Sequence, residues 1–330
     1  MKLGLFATLF IVSATPCQAI TFSVTADATL SGNAAAMAAF QRATNAWGSV
    51  FSDAITVKLN AGFGASAVTD PVVLQGAYST IRNAVASDAA DEASNSIAGS
   101  LPTQVQFSAQ VPNGVSLQIG VLLTQANAKA LGLVDPVNGL GSGSDGTITF
   151  SNLVTFDFDN SDGVTAGQTD FETLAIREIG RILGFKSALD TLDGTSETSI
   201  NLFVLDLFRF SSGNLPTNAS QFTFNPRSMV PGAGARFSDT VNTWSFSTGV
   251  AVGDGNSGSY WKDDAISGTR IGVMDPTLPP GVSYGISAAD IRALDLIGYE
   301  AVDATTPEPS TVLLTGFAFA ALALRRRSRV

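Results

Sequence analysis

The alternation of apolar and polar residues predicts two strands near the start of the chain, with a helix between them. Residues 20–24 and 55–63 alternate as the residues of half-buried strands do. Between them, Asn33 can cap a helix over residues 34–51, in which large apolar side chains recur at helical spacing. A strand, a helix and a second strand in this order predict a sheet with a helix packed on it.

Regular elements continue further along the chain and then become sparse. Ser287 and Asp290 have the spacing of a capping box at the start of a last helix over 287–297. The segments before that helix are long and rich in Gly, Ser and Asn. We therefore expect an α+β domain with a loop-rich C-terminal half. The other predicted elements are helices over 77–90 and 124–131, a loop over 139–146, strands over 147–150 and 153–158, a helix from about Thr169 and an apolar stretch over 200–210.

The first 19 residues have the features of a signal peptide. Lys2 provides a positive charge, residues 3–12 form an apolar run, and Cys17-Gln18-Ala19 offers a cleavage site. The residues before Cys17 fit a lipoprotein signal poorly, so we expect export with cleavage by signal peptidase. This cleavage removes the only cysteine of the chain, so we expect an exported protein without disulfides.

The C-terminal segment 304–330 has three parts in a fixed order. Pro307-Glu308-Pro309 comes first, an apolar stretch over 311–324 follows, and arginines stand at 325–327 and 329. The apolar stretch is shorter than the roughly 20 residues of a full membrane span, and the arginines favour a cytoplasmic end. An ordinary tail anchor is the simpler interpretation.

The same order closely resembles the PEP-CTERM sorting signal. The resemblance implies processing by an exosortase-type enzyme during export, in Gram-negative bacteria that make extracellular polysaccharide. It predicts a protein of the cell envelope or extracellular matrix, anchored transiently in the membrane by its tail, with the polysaccharide matrix as a further candidate partner. The predicted organisation is then a signal peptide at 1–19, one domain at 20–303 and the sorting tail at 304–330.

The composition excludes several classes of function. The chain of 330 residues has a formal net charge of −10, so it lacks the basic surface that a nucleic-acid partner requires. It also contains no histidine. A Ser-His-Asp triad, a Cys-His pair and a His-ligated zinc site are therefore all excluded.

The helix that begins near Thr169 brings charged residues together on one face. Thr169 and Glu172 have the spacing of a capping box at its start. Arg177 and Arg181 are one helical turn apart, so their side chains project from the same face, with Glu178 beside them.

Several segments resemble parts of zincin metalloproteases. Residues 177–185, Arg-Glu-Ile-Gly-Arg-Ile-Leu-Gly-Phe, resemble the zincin helix His-Glu-Ile-Gly-His-Ala-Leu-Gly-Phe, with arginine at both histidine positions. Residues 271–276 resemble the Met-turn of metzincins, with Met274 as the methionine, and residues 286–294 resemble their closing helix. Tyr260, in Ser-Tyr-Trp-Lys, stands where a family of PEP-CTERM-bearing predicted metalloproteases has Ser-His-Trp-Lys. The resemblance runs from about residue 20 to residue 300, which is nearly the whole mature chain. It implies a zincin- or metzincin-like α+β domain, in which a mixed sheet packs on the motif helix.

The metal ligands of the zincin motif are missing from this chain. In zincins the two histidines bind zinc and the glutamate activates water, whereas an arginine stays protonated and offers no lone pair. Glu178 is then a vestigial general base without a metal-bound water. The third histidine position of metzincins corresponds to Ser187, and Asp190 is the remaining candidate ligand. One carboxylate does not make a catalytic zinc site, so we expect no zinc and no proteolysis.

Two interpretations of Arg177 and Arg181 follow from this substitution. The two arginines could place positive charge where zinc would lie, and neutralise Glu178 and Asp190 through charge-assisted hydrogen bonds. Alternatively, both arginines could point into water from an open helix face.

An acidic loop over residues 157–163 is a candidate calcium site. Asp157, Asp159 and Asp162 surround a Gly turn, and oxygen-rich spacing of this kind suits Ca²⁺. A solvated acidic turn is the simpler interpretation, because the loop lacks the length and the bidentate Glu of an EF-hand.

Three functions remain open: an inactive metalloprotease-like surface or matrix protein, an active secreted metallopeptidase with an unrecognised ligand set, and a structural Ca²⁺-binding matrix protein.

Overall fold

Strands and helices alternate through residues 19–133 and 143–302, which are the residues that the computed structural model describes. Three predicted segments lie wholly or partly outside these residues. They are the sorting tail over 304–330, the signal peptide up to residue 18, and residues 139–142 of the loop predicted over 139–146. The described residues from Ala19 to Ala301 form one compact unit.

The helices and strands have the following bounds. The α-helices are α1 (Ala28–Ser31), α2 (Ala34–Gly48), α3 (Tyr78–Asp88), α4 (Gln125–Ala130), α5 (Phe171–Leu183), α6 (Leu189–Leu192), α7 (Ala219–Phe224), α8 (Asp264–Ser267) and α9 (Ala288–Asp295). The strands are β1 (Thr21–Ala26), β2 (Thr56–Gly64), β3 (Val68–Pro71), β4 (Val73–Ala77), β5 (Ala109–Gln110), β6 (Ser116–Thr124), β7 (Gly146–Ser151), β8 (Phe156–Asp157), β9 (Thr169–Asp170), β10 (Ser199–Phe203), β11 (Arg209–Ser211), β12 (Arg227–Ser228), β13 (Ala235–Ser238) and β14 (Thr243–Ser245). Short 3-10 helices cover Ala89–Asp91, Ala93–Ser100, Asn160–Asp162 and Val204–Phe208.

A mixed sheet in the order β1-β2-β7-β3 contains the strands that were predicted near the start of the chain. β1, β2 and β7 are parallel, whereas β3 is antiparallel to β7 and lies at the edge. The chain crosses from β1 to β2 through α2, and the Asn33 side chain caps this helix by accepting a hydrogen bond from the N–H of Ala36. The predicted strand, helix and strand are therefore confirmed.

The helix α5 packs against this sheet and against α2. The indole N–H of Trp47 in α2 donates to the carbonyl of Ile176 in α5 at 2.8 Å. The ring of Phe171, at the start of α5, packs against three phenylalanine rings of β2, β7 and β8. The distances between ring centroids are 4.6–5.6 Å. These rings belong to Phe63, Phe150 and Phe156. The prediction of a mixed sheet packed on the motif helix is confirmed.

The cap at the start of α5 differs from the predicted one. Asp170, and not Thr169, is the capping residue: its carboxylate accepts hydrogen bonds from the N–H and the hydroxyl of Thr173. Glu172 does not complete a capping box but forms an ion pair with Arg42, at 2.6 Å. The predicted box is therefore wrong. A carboxylate at the positive end of the helix dipole is a stronger cap than a hydroxyl one residue earlier.

The C-terminal half of the described chain is more regular than predicted. It contributes to two further sheets, in the orders β10-β6-β4 and β14-β13-β11-β12-β5. The strands of the second of these sheets have two to four residues each, which is too short to show a clear alternation in sequence. The predicted stretch over 200–210 consists of β10, a 3-10 helix and β11.

The last helix begins as predicted. Ser287 and Asp290 form a capping box at the start of α9, each side chain accepting a hydrogen bond from the backbone N–H of the other residue. In the part of the chain that the structure describes, no helix has the length and apolar character needed to cross a membrane.

Candidate functional site

A cleft of about 420 Å³ opens beside the charged face of α5. Arg177, Glu178 and Arg181 of α5 line it, together with Tyr260 and Thr69. Thr69 belongs to the edge strand β3, and Tyr260 lies between β14 and α8. The cleft therefore brings together three of the four positions at which the resemblance placed a missing histidine, 177, 181 and 260, whereas the fourth, Ser187, does not line it.

The Glu178 carboxylate is buried in this cleft, and both of its oxygens accept hydrogen bonds. Arg177 Nε lies 3.0 Å from Oε1 of Glu178. The Thr69 hydroxyl donates to Oε2 at 2.6 Å, and Arg181 Nη1 lies 3.3 Å from the same oxygen. The prediction that both arginines neutralise Glu178 is confirmed, and the alternative in which both simply point into water is wrong.

Tyr260 lies against both arginines. The Cζ atoms of Arg177 and Arg181 are 5.5 Å and 5.3 Å from the centroid of the Tyr260 ring, which is within the range of cation–π attraction. Arg181 Nη1 donates to the Tyr260 hydroxyl at 3.2 Å, and Arg177 Nη1 donates to the Pro276 carbonyl at 2.8 Å. Each guanidinium group therefore has a defined orientation.

The surrounding charges keep Glu178 ionised. Burial on its own raises the pKa of a carboxyl group, but the charges of Arg177 and Arg181 and the hydroxyl of Thr69 outweigh it, so the pKa of Glu178 is below its usual value. Burial also raises the pKa of Tyr260, so its hydroxyl keeps its proton at neutral pH. The cleft therefore contains two positive charges and one negative charge.

Met274 lies beneath α5, at a glycine of the motif helix. A Cβ atom at Gly180 would lie 2.6 Å from the sulfur of Met274, so a side chain at this position would force Met274 to shift. Asp290 accepts hydrogen bonds from the backbone N–H of Val273 at 2.8 Å and from the indole of Trp261 at 2.8 Å. Asp290 therefore links the start of α9 to both segments that border the cleft, around Met274 and around Tyr260.

Asp190 and Ser187 have partners away from the arginines. The Asp190 carboxylate accepts hydrogen bonds from the segment 257–259: two hydroxyls and the backbone N–H of residue 258. Among the described residues no salt bridge joins Asp190 to an arginine, so the predicted neutralisation does not extend to it. Ser187 is buried and donates to Asp206 at 2.6 Å. Asp190 instead orders the segment that leads into Tyr260.

The structure does not bring the carboxylates of the predicted calcium loop together. Asp157 accepts hydrogen bonds from the N–H of Thr165 at 2.7 Å and of Asp159 at 2.9 Å, and these bonds lower its pKa. Asp159 accepts one from the N–H of Ser161, whereas Asp162 is exposed. Asp157 is buried whereas Asp162 is exposed, and calcium binding by this loop stays a prediction.

A different acidic group has its oxygens close together. Within the described ranges, Asp263, Asp264 and Asp275 have ligand atoms that all lie within 4.8 Å of one another. Arg270 pairs with two of them, at 2.9 Å from Asp264 and 3.5 Å from Asp275. The hydroxyl of Thr277 donates to Asp263 and Asp275, at 3.2 Å in each case. This group therefore has internal partners that hold it together.

Two partners of the motif helix were not predicted from the sequence. The hydroxyl of Thr69 comes from a strand 109 residues before Glu178, and the carbonyl of Pro276 follows the Met-turn segment. The strand β3 has only four residues, Val-Thr-Asp-Pro, and gives no signal that it lies beside α5. Only the three-dimensional position of the sheet edge reveals this contact.

Comparison with known proteins identifies the C-terminal tail. Residues 305–327 match the PEP-CTERM protein-sorting motif. The match confirms the predicted sorting signal, and with it export, sorting to the cell envelope and processing by an exosortase. No curated protein and no solved structure matches the chain.

Proposed function

We propose that this exported, exosortase-sorted protein is a non-catalytic surface or matrix component with a metalloprotease-like domain. The observation that carries the proposal is that Arg177, Arg181 and Tyr260 converge around Glu178, in one cleft. The sequence resemblance assigned a lost histidine to each of these positions separately. Convergence at one point is what a former site with three protein ligands predicts.

The residues now in the cleft do not fit a zinc ion. The guanidinium groups of Arg177 and Arg181 have no lone pair to donate, and their charges repel a dication. The two arginines and Thr69 stabilise the ionised form of Glu178 and lower its pKa, which makes it a weaker base toward water. The two other candidate ligand positions, Ser187 and Asp190, have protein partners elsewhere. This donor set supports a site without metallopeptidase chemistry.

The zinc content of the full chain after zinc loading and desalting tests the proposal. We expect almost no bound zinc. We also expect no chelator-sensitive cleavage of a peptide substrate. The matched variant Arg177→His/Arg181→His/Tyr260→His is expected to bind about one zinc ion per chain, because three imidazoles would then converge beside Glu178. A circular dichroism melt of the variant shows whether it is folded.

Two outcomes would contradict the proposal in different ways. Nearly one zinc ion per unmodified chain, with chelator-sensitive cleavage, would favour an active metallopeptidase with another ligand set. A folded triple-histidine variant that binds no zinc would mean that the three positions never formed a metal site.

A further inference from the structure

The cleft beside α5 has an excess of positive charge. Its charged lining residues are Arg177, Arg181 and Glu178, so two guanidinium groups face one carboxylate. Since arginine stays protonated and the pKa of Glu178 is lowered, the excess persists at neutral pH. The chain as a whole is acidic, with a net charge of −10, which makes this local excess a distinct feature of its surface.

Each arginine in the cleft has a donor group without a protein partner. Arg177 uses Nε and Nη1, and Arg181 uses Nη1, for hydrogen bonds to residues that the structure describes. Nη2 of each has no partner among those residues, and neither Nη2 atom is among the buried atoms that lack a hydrogen bond. Both Nη2 atoms therefore keep contact with solvent, since 14% and 18% of the two side chains are exposed, whereas Arg181 Nε is buried and has no hydrogen-bond partner among the described residues.

The remaining lining suits a small acid with further polar groups. Thr149, Ser151 and Thr169 line the cleft, beside Leu174 and Leu278. A volume of about 420 Å³ is enough for a ring of the size of a monosaccharide. A carboxylate has two oxygens that accept charge-assisted hydrogen bonds, so the unpartnered Nη2 group of each arginine can donate to it.

We propose that the cleft binds a carboxylate group through Arg177 and Arg181, with Tyr260 holding the two guanidinium groups in place. The carboxylate can belong to a free organic acid or to a uronic acid of a polysaccharide, and its chemistry is the same in both. The inference rests on the proposed function, because a zinc ion at this point would displace the arginines from their positions.

Isothermal titration calorimetry of the full chain with sodium acetate and with sodium D-glucuronate tests this site, with D-glucose as the neutral control. We expect saturable binding of the acids and none of glucose.

Arg181→Gln and Arg177→Gln are each expected to weaken binding about tenfold, because each removes a charge-assisted hydrogen bond. Glu178→Gln is expected to tighten binding, because it removes the negative charge while both arginines stay. Tighter binding of D-glucuronate than of acetate would indicate that the cleft also contacts a sugar ring.

The control variant is Arg236→Gln, which removes one positive charge from β13, outside the lining of the cleft. Its affinity for acetate should equal that of the unmodified chain. Absence of saturable binding up to about 10 mM of either acid would overturn the proposal. An equal loss of affinity in Arg236→Gln, or unchanged affinity in folded Arg177→Gln and Arg181→Gln, would overturn it too. The zinc measurement is independent of these results, so failure of this site and failure of the proposed function are distinguishable.

Discussion

Gly180 in the motif helix and Met274 beneath it pack so closely that no side chain fits between them. A Cβ atom at position 180 would lie 2.6 Å from the Met274 sulfur and 3.1 Å from the ring of Trp47. Both of these neighbours are fully buried, so neither can move aside freely. The helix that presents Arg177 and Arg181 to the cleft therefore depends on a glycine for its position.

Gly180→Ala is expected to lower the free energy of unfolding by about 1 kcal/mol. Overpacking costs about 1–3 kcal/mol, and the better helix propensity of alanine offsets at most about 1 kcal/mol of this. Urea denaturation measures the difference. The control is Gly99→Ala, where a Cβ atom would meet no heavy atom within 4 Å, and its effect should stay within about 0.5 kcal/mol. Equal effects of the two substitutions would contradict the close packing.

Glu178→Gln is expected to lower the melting temperature, although it only replaces one carboxylate oxygen with an amide group of similar size. The neutral amide leaves the charges of Arg177 and Arg181 near each other, both largely buried, without a counter-charge. Removing one partner of a buried ion pair costs about 3–5 kcal/mol. Because the arginines keep some contact with solvent, we expect a loss of about 2 kcal/mol in the free energy of unfolding.

Glu172→Gln is the matched control for this experiment. It removes a carboxylate of the same helix, whose partner Arg42 has 40% of its side chain exposed. Ion pairs at such exposed positions contribute less than about 1 kcal/mol, so the melting temperature should change little. If Glu178→Gln melts at the temperature of the unmodified chain, the buried ion cluster contributes no stability and this interpretation fails.

Asp190→Ala is expected to destabilise the fold without changing its zinc content. The carboxylate accepts hydrogen bonds from residues 257–259, and its loss leaves the buried donors of Gly258 and Ser259 unpaired at a cost of about 1–3 kcal/mol. Asp162→Ala, at an exposed position, is the control and should change stability by less than about 0.5 kcal/mol. A drop in bound zinc in Asp190→Ala would instead identify Asp190 as a metal ligand.

Local sequence signals predicted the elements that position the site. Asn33 caps α2 and Ser287 caps α9, because these caps depend on residues within one turn of each other. The pairing of Glu178 with Arg177 and Arg181 was predictable for the same reason, since all three belong to one helix. The cap of α5 was misassigned by one residue, because Thr169 and Asp170 both have side chains that can cap.

The contacts that could not be predicted from the sequence join residues far apart along the chain. The strand β3 presents Thr69 to Glu178, but its position at the sheet edge depends on pairing with β7, far along the chain. The partners of Asp190 at 257–259 likewise depend on the folded chain. Strands of two to four residues, as in the sheet that contains β11, are too short for their periodicity to be detected.

Asp53, Asp88 and Glu92 belong to a cluster of carboxylates that makes the fold less stable as the pH rises. The lowered pKa of Glu178 acts in the opposite direction, because it makes the fold less stable as the pH falls. Burial raises the pKa of Asp53 to about 6, that of Asp88 to about 7 and that of Glu92 to about 8. The negative charges of Asp295 and Glu300 act in the same direction as burial and contribute to these values. Within this cluster, the only ion pair among the described residues is the one between Asp295 and Arg292, at 2.9 Å.

These raised pKa values predict that the protein is less stable at about pH 8 than at about pH 5. Unfolded carboxyls titrate near pH 4, so between about pH 4 and pH 8 the folded chain binds more protons than the unfolded chain. Stability contributed by the protonated cluster is therefore lost as the pH rises through the folded pKa values.

Asp88→Asn and Glu92→Gln should each flatten this dependence and raise the melting temperature most at about pH 8. Asp162→Asn, which removes an exposed carboxylate, should leave the profile unchanged. Melting temperatures that stay level or increase from about pH 5 to about pH 8 would contradict the prediction.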